Sequence, residues 1–302
     1  MTAVDSFHWQ RNGCSPSDSF EFEGLFYFGK NMSTARLSPV KKSVLLVAFG
    51  TRTHQALDAY RLVESKIQAV FHDIPLRWAF TSAIARKNLA LADQQPVDSV
   101  EMALARMMDE RVTHVAVQAL HVIAGKEYHD LAANCQLFGR MHGGFRQIVM
   151  GLPLLGTGED IENVAAALFS AVPQERKPEE AVVFMGHGSP HPANACYTAL
   201  MYHLQQMDAG IFVGTMSGRP GIDDIRVRLR KQHITSAYLL PCLAVVGNHT
   251  IQDMAGDKPG SWKSVLEAHG ISCKPILKGL SENDGIVDIW VNHLKTSIGA
   301  FS

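Results

Sequence analysis

The second half of this chain repeats its first, and that repeat restricts its possible folds more than any other feature. Residues 112–155 superpose on 234–277 without a gap: Val112-Thr113 falls on Ile234-Thr235, Gly125 on Gly247, and Pro153-Leu154-Leu155 on Pro275-Ile276-Leu277. Leu45 to Thr51 falls in the same way on Val183 to Ser189. A repeated unit of this length predicts two copies of one domain facing each other across a cleft, which is where small ligands bind.

The unit itself is α/β. Val44–Phe49, Leu76–Phe80, Val112–Leu120 and Phe145–Leu152 are short apolar runs that read as buried strands. Between them, His54–Phe71, Val97–Met108 and Glu127–Gly139 carry apolar residues at helical spacing. Strands alternating with helices predict βαβ units and parallel sheets, so the expected fold is two similar Rossmann-like or flavodoxin-like lobes. The lobes are expected over 41–158 and 159–302, with the last helix packing back on the first lobe. Residues 1–40, rich in Ser, Gly, Asn and aromatics, read as an appendage, and Met32 would serve equally well as an initiator.

Composition narrows the function class. A chain of 302 residues with 46% apolar residues, 19% charged residues and a net charge of -1 has no basic surplus for neutralising phosphates, so a nucleic-acid partner is not expected. No apolar run approaches the roughly 18 residues that span a bilayer. The five cysteines are widely spaced and form no C-x-x-C pair, which reads as reduced thiols in the cytoplasm.

Ala181-Val-Val-Phe-Met-Gly-His-Gly-Ser-Pro-His191 is the stretch that points to chemistry. An apolar strand ends in glycines that flank a single imidazole, which open α/β sheets would deliver into the crevice at their strand ends. In the internal alignment His187 falls on Phe49, and His249 on Glu127. The second copy has therefore acquired two imidazoles at pseudo-equivalent loops, a pattern that structural histidines have no reason to produce. Ser189 offers a nucleophile in principle, but Gly186-His-Gly-Ser-Pro190 is not the G-x-S-x-G elbow.

These motifs together resemble a known family. Ala48-Phe-Gly-Thr51, Gln118-Ala-Leu-His121 with Gly125 and Glu127-Tyr128, Gly151-Leu-Pro-Leu-Leu155, Phe184-Met-Gly-His-Gly188, Gly247-Asn-His249 with Asp253-Met254, and Ser261-Trp-Lys263 are similar to the anaerobic-pathway sirohydrochlorin cobaltochelatases. These belong to the class II tetrapyrrole chelatases, alongside ferrochelatase. The resemblance runs from about Lys42 to the C-terminus.

It implies the two-lobed chelatase fold, ATP-independent insertion of Co2+ into sirohydrochlorin on the way to cobalamin, and a metal held by His187 and His249. Fe2+, for sirohaem, and Ni2+ are further candidate metals, and no organic cofactor is implied. Neutral imidazole suits all three ions, and open coordination positions would let the metal pass to pyrrole nitrogens. The family's third ligand is a Glu, at a position occupied here by Ser217, or by Met216 if the register slips by one. Glu127 is the acidic candidate from the other lobe, and it reads equally as a helix-start carboxylate favoured by the macrodipole. Sirohydrochlorin carries carboxylates, for which Arg52, Lys126 and, more weakly, Arg219 are the candidate cations. His54 and His191 read as caps or exposed rings, whereas His121 ends a strand as His187 does. The alternative function is a non-catalytic metal or tetrapyrrole carrier, and self-association into a homo-oligomer is left open.

Overall fold

In a computed structural model, residues 26–28, 39–51, 53–93 and 97–301 are described. Arg52 and the side chain of His54 lie outside them, as does most of the segment read as an appendage. The first lobe runs β2 (Lys42–Ala48), α1 (His54–Val70), β3 (Leu76–Phe80), α2 (Ala83–Asp93), α3 (Val100–Asp109), β4 (His114–Ala119), α4 (Lys126–Arg140) and β5 (Gln147–Met150). After α5 (Gly158–Ser170) the second lobe follows with β6 (Ala181–Gly186), α6 (Ala195–Met207), β7 (Ile211–Thr215), α7 (Ile222–Lys231), β8 (Ser236–Cys242), α8 (Trp262–Glu267) and β9 (Ser272–Pro275). The chain closes with α9 (Asp284–Gly299).

Both sheets have one topology. The parallel strands lie in the order β5-β4-β2-β3 in the first lobe and β7-β6-β8-β9 in the second, so each lobe's first strand lies between its second and third. Equivalent turns follow: Gly50 after β2 and Gly188 after β6 both have left-handed backbone, with φ of 103° and 75°. The crevice of such a sheet opens where the strand order reverses, beyond the ends of β2 and β4 and of β6 and β8.

The chain departs from the sequence expectations in two places. Phe26–Phe28, inside the segment read as an appendage, forms β1 and pairs antiparallel with β5 at the edge of the first sheet. Two helices, not one, join β3 to β4. The Ser82 hydroxyl accepts the Ala85 N–H to start α2, and Ser99 caps α3.

The sheets are apolar on both faces, and the burial explains how the lobes hold together. One core contains the inner faces of both sheets, from Val44 and Leu46 to Val182 and Phe184, with fully buried Trp290 of α9 among them. The outer faces have their own cores, under α3 and α4 in the first lobe and under α7 and α8 in the second. Helix α9 packs against α1, β4, β5 and α5, which ties the C-terminus to the first sheet. Among the described residues, no helix is long and apolar enough to cross a membrane.

Candidate functional site

His187 is held by its neighbours in sequence. A Cβ on Gly186 would come within 2.5 Å of the Tyr197 ring, and one on Gly188 within 2.5 Å of Thr215 Cβ, so neither position admits a side chain without movement. The chain can therefore turn tightly, and the exposed imidazole leaves the strand end with its Nδ1–H donating to the Gly188 carbonyl at 3.0 Å. His249 opens a π-helical turn, His249–Met254, in the loop after β8. Its Nδ1–H donates to Asp253 Oδ2 at 2.6 Å, and the Lys258 ammonium binds the other carboxylate oxygen. Burial alone would raise the Asp253 carboxyl, but the hydrogen bonds from Lys258 and His249 hold it below the ordinary range.

The two rings lie 5.3 Å apart, centre to centre, at 77° to one another. Each has its Nδ1 committed to an acceptor, so in the neutral tautomer the lone pair sits on Nε2. Ring centres 5.3 Å apart lie within the roughly 6.4 Å that two imidazoles sharing one ion about 2.1 Å from each nitrogen could span. The carboxylate behind His249 fixes tautomer and orientation, as such partners do for metal-bound histidines. Among the described residues no group of three or more His, Cys, Asp and Glu side chains is arranged to hold a metal ion.

The β7 loop completes this side of the cleft. Met216 packs against the outer core while Ser217 is exposed, and the Ser217 N–H donates to the His187 carbonyl at 2.8 Å. Ser217 and His249 line one open pocket of about 640 Å³ with Asp253, Asp223 and Trp262. Of the two registers considered for the third-ligand position, Ser217 is the one exposed beside the histidines.

The first lobe faces this site with different chemistry. Phe49, the counterpart of His187, is 52% exposed. Glu127, on the first turn of α4, has Oε2 3.4 Å from His121 Nε2; the His121 side chain is 12% exposed and that of Glu127 48%. The His121 ring, ahead of the opposing effect of burial, holds the Glu127 carboxyl below its ordinary range, and the charge of His187 and the Thr81 hydroxyl add to this. The Gly125 loop approaches within 3.9 Å of Ser189 Oγ, measured to an ideal Cβ.

Two of the expected cations carry surface ion pairs in this structure. Lys126 pairs with Asp130 on the helix surface, and Arg219 pairs with Asp224. His191 accepts the Ala193 N–H through Nδ1 and so acts as a cap. Ser189 Oγ accepts the His191 backbone N–H and makes no bond to a histidine ring among the described residues, which removes the basis for a nucleophile. Asp253, quoted in the sequence only as part of a motif and given no role there, is the acceptor that holds the His249 ring. Its signal was the i,i+4 spacing from His249 within one helical turn.

Comparison with known proteins gives concordant results. A family described as "Cobalt chelatase (CbiK)" matches residues 42–299. The chain is 45% identical over 264 residues to the sirohydrochlorin cobaltochelatase CbiKC of Nitratidesulfovibrio vulgaris, covering 87% of this chain and 93% of that one. It is 34% identical over 260 residues to the sirohydrochlorin cobaltochelatase of Salmonella typhimurium, covering 86% and 97%. Among solved structures, SirB from Bacillus subtilis with Fe3+ superposes with a TM-score of 0.61 at 18% identity, covering 87% of this chain and 99% of that one, which is a likeness of fold.

Proposed function

The chain belongs to the cobalt chelatase family CbiK, and from that premise we propose that it inserts Co2+ into sirohydrochlorin without ATP, with His187 and His249 holding the incoming metal. The observation that carries the reading is the imidazole pair 5.3 Å apart at the strand-order reversal of the second lobe.

The chemistry follows from what the pair can and cannot do. Two neutral nitrogens bind a hydrated divalent ion while leaving most of its coordination sphere to water, so the ion is held without being caged. A macrocycle seated in the cleft replaces those waters with pyrrole nitrogens, and the metal leaves the two imidazoles for a ligand with four. Exposed Phe49 offers an apolar face for the ring plane. Lys126 and Arg219 already carry carboxylates, so exchanging these for substrate carboxylates swaps one exposed ion pair for another. Such an exchange is worth little affinity and serves orientation. Arg52 is a further candidate for this role. Fe2+ and Ni2+ fit the same nitrogen donors, and selection between them follows availability. The four described cysteines are free, which supports a reducing, cytoplasmic setting.

Purified protein mixed with sirohydrochlorin and an excess of Co2+ tests the reading through the absorption spectrum of the macrocycle. Many equivalents of cobalt product per protein are expected. Spectral change that stops at one equivalent would instead mark a carrier, and no change would overturn both readings.

A further inference from the structure

Each lobe's first-strand loop reaches the third-strand loop of the other, and the two contacts differ. In one, Thr53, which caps α1, donates its hydroxyl hydrogen to the Val246 carbonyl at 2.8 Å. Val246, 1% exposed, lies between β8 and the π-helical turn that begins at His249. Gln55, on the first turn of α1, adds a bond from Nε2 to the Leu277 carbonyl at 2.9 Å. When the internal repeat is continued, Thr53 corresponds to His191 and Val246 to Ala124. There the β6 loop meets the start of α4 through two rings, His191 and His129, 5.1 Å apart centre to centre. The hydrogen-bonded contact is thus the one that leads into the metal-site loop.

The local geometry gives that contact a task. A π-helical turn is a rare backbone form that recurs at functional sites, and this one spans only six residues. The Asp253 carboxylate belongs to the same turn as His249, so it orients the ring within the turn but cannot set the turn's place relative to His187. That place is set at the turn's entry, where the Val246 carbonyl is pinned to the first lobe. Thr53 is itself fixed, because its N–H donates to Oγ1 of buried Thr51 at 3.2 Å.

We propose that Thr53 is a positioning residue for metal binding, setting the spacing of His249 from His187 through the Val246 carbonyl. The inference rests on the reading that these two imidazoles hold the metal. Both belong to the second lobe, yet their spacing depends on the first. Exposed Phe49, the apolar face offered to the macrocycle, lies four residues before Thr53 on the same loop. One loop therefore meets the macrocycle and tethers a metal-holding histidine.

Three variants of the full chain separate this role from helix capping. Thr53→Ser keeps a hydroxyl that both accepts the Ala56 N–H and donates to Val246. Thr53→Asp keeps a strong cap, but a carboxylate has no hydrogen to donate to the carbonyl. Thr53→Val loses both bonds. Titration with Co2+ alone should show Kd raised about 10-fold in the Asp and Val variants, the lower end of what removing the support of a metal ligand costs. Thr53→Ser should stay within about twofold of the parent. Melting temperature should divide them differently, with Asp above Val, because only Val gives up the cap. Parental or tighter Co2+ affinity in Thr53→Asp overturns the proposal. So does affinity that falls in step with melting temperature across the three, which would mark a purely structural cap, and so does a Thr53→Ser protein as impaired as Thr53→Val. If the parent itself binds no Co2+, the reading of the histidine pair fails instead, independently of the tether.

Discussion

The two lobes share a backbone and differ in what they hang from it. After the first strand, β2 leads to exposed Phe49 and β6 to His187, each followed by a left-handed glycine. After the second strand, the backbone N–H groups of Ser82 and Ser217 donate to the carbonyls of Phe49 and His187, so the two serines are tethered identically. Ser82 is used as a helix cap, whereas Ser217 is left exposed beside the histidines. After the third strand, His121 and Glu127 stand where the second lobe has Leu243 and His249, and the Asp253 that orients His249 replaces buried Leu131. Duplication thus provided two sets of equivalent loops around one cleft. Divergence of a few side chains gave the second set two imidazoles backed by Asp253 and the first a histidine beside Glu127.

If the second lobe alone holds the metal, the largest effect comes from its histidines. His187→Ala or His249→Ala should each lower insertion by more than the ~100-fold that loss of a supporting carboxylate can cause, and the double variant should lose little more, because the pair acts as one unit. A folded single variant with near-parental rates would erase the distinction between the lobes. Asp253→Asn comes next: it keeps the size but weakens the acceptor behind His249, and Co2+ affinity measured by titration should drop by roughly 10-fold or more.

Ser217→Glu sharpens the comparison from the other side. A carboxylate beside the two imidazoles should tighten Co2+ binding by about tenfold, or ~1.4 kcal/mol; unchanged affinity would place the third-ligand position elsewhere. The smallest effect concerns stability. Glu180, at the entrance to β6, corresponds to exposed Lys42 in the first lobe. The Lys177 backbone N–H, then Lys274 and Ser236, hold its carboxyl at about 2, against an ordinary 4.5. A carboxyl depressed by folding contributes stability above pH 4.5 that drains away as the pH falls toward 2. Thermal melts of Glu180→Gln should lie below the parent at neutral pH and converge with it in acid; a constant gap across that range would show that the charge is not responsible.

Much of the scaffold was readable because it is written in short-range signals. Leu76–Phe80 is strand over the range its apolar run predicts, and α1 begins at His54 as its spacing does. Helix α2 escaped notice because the interval before β4 reads as one helix once Val97–Met108 is recognised, and the Ser82 cap was passed over. β1 escaped because three aromatic residues of an edge strand carry too little pattern. At the site, His187 and His249 stood out through their asymmetry in the repeat, while Lys126 and Arg219 were read as available cations and proved to be paired with Asp130 and Asp224.

The order of residues along the chain was enough to establish the duplication, the α/β unit, the glycine-flanked turn at His187 and the two imidazoles, because each depends on periodicity, backbone permissiveness or comparison of like with like over short spans. The approach of His187 to His249, the exposure of Ser217 rather than Met216 beside them, and the placement of His121 against Glu127 came from the fold. These depend on strand order and on which loops the crossovers bring together at a sheet's reversal point. Such contacts join residues far apart in the chain, and no local pattern specifies the distance or the partner.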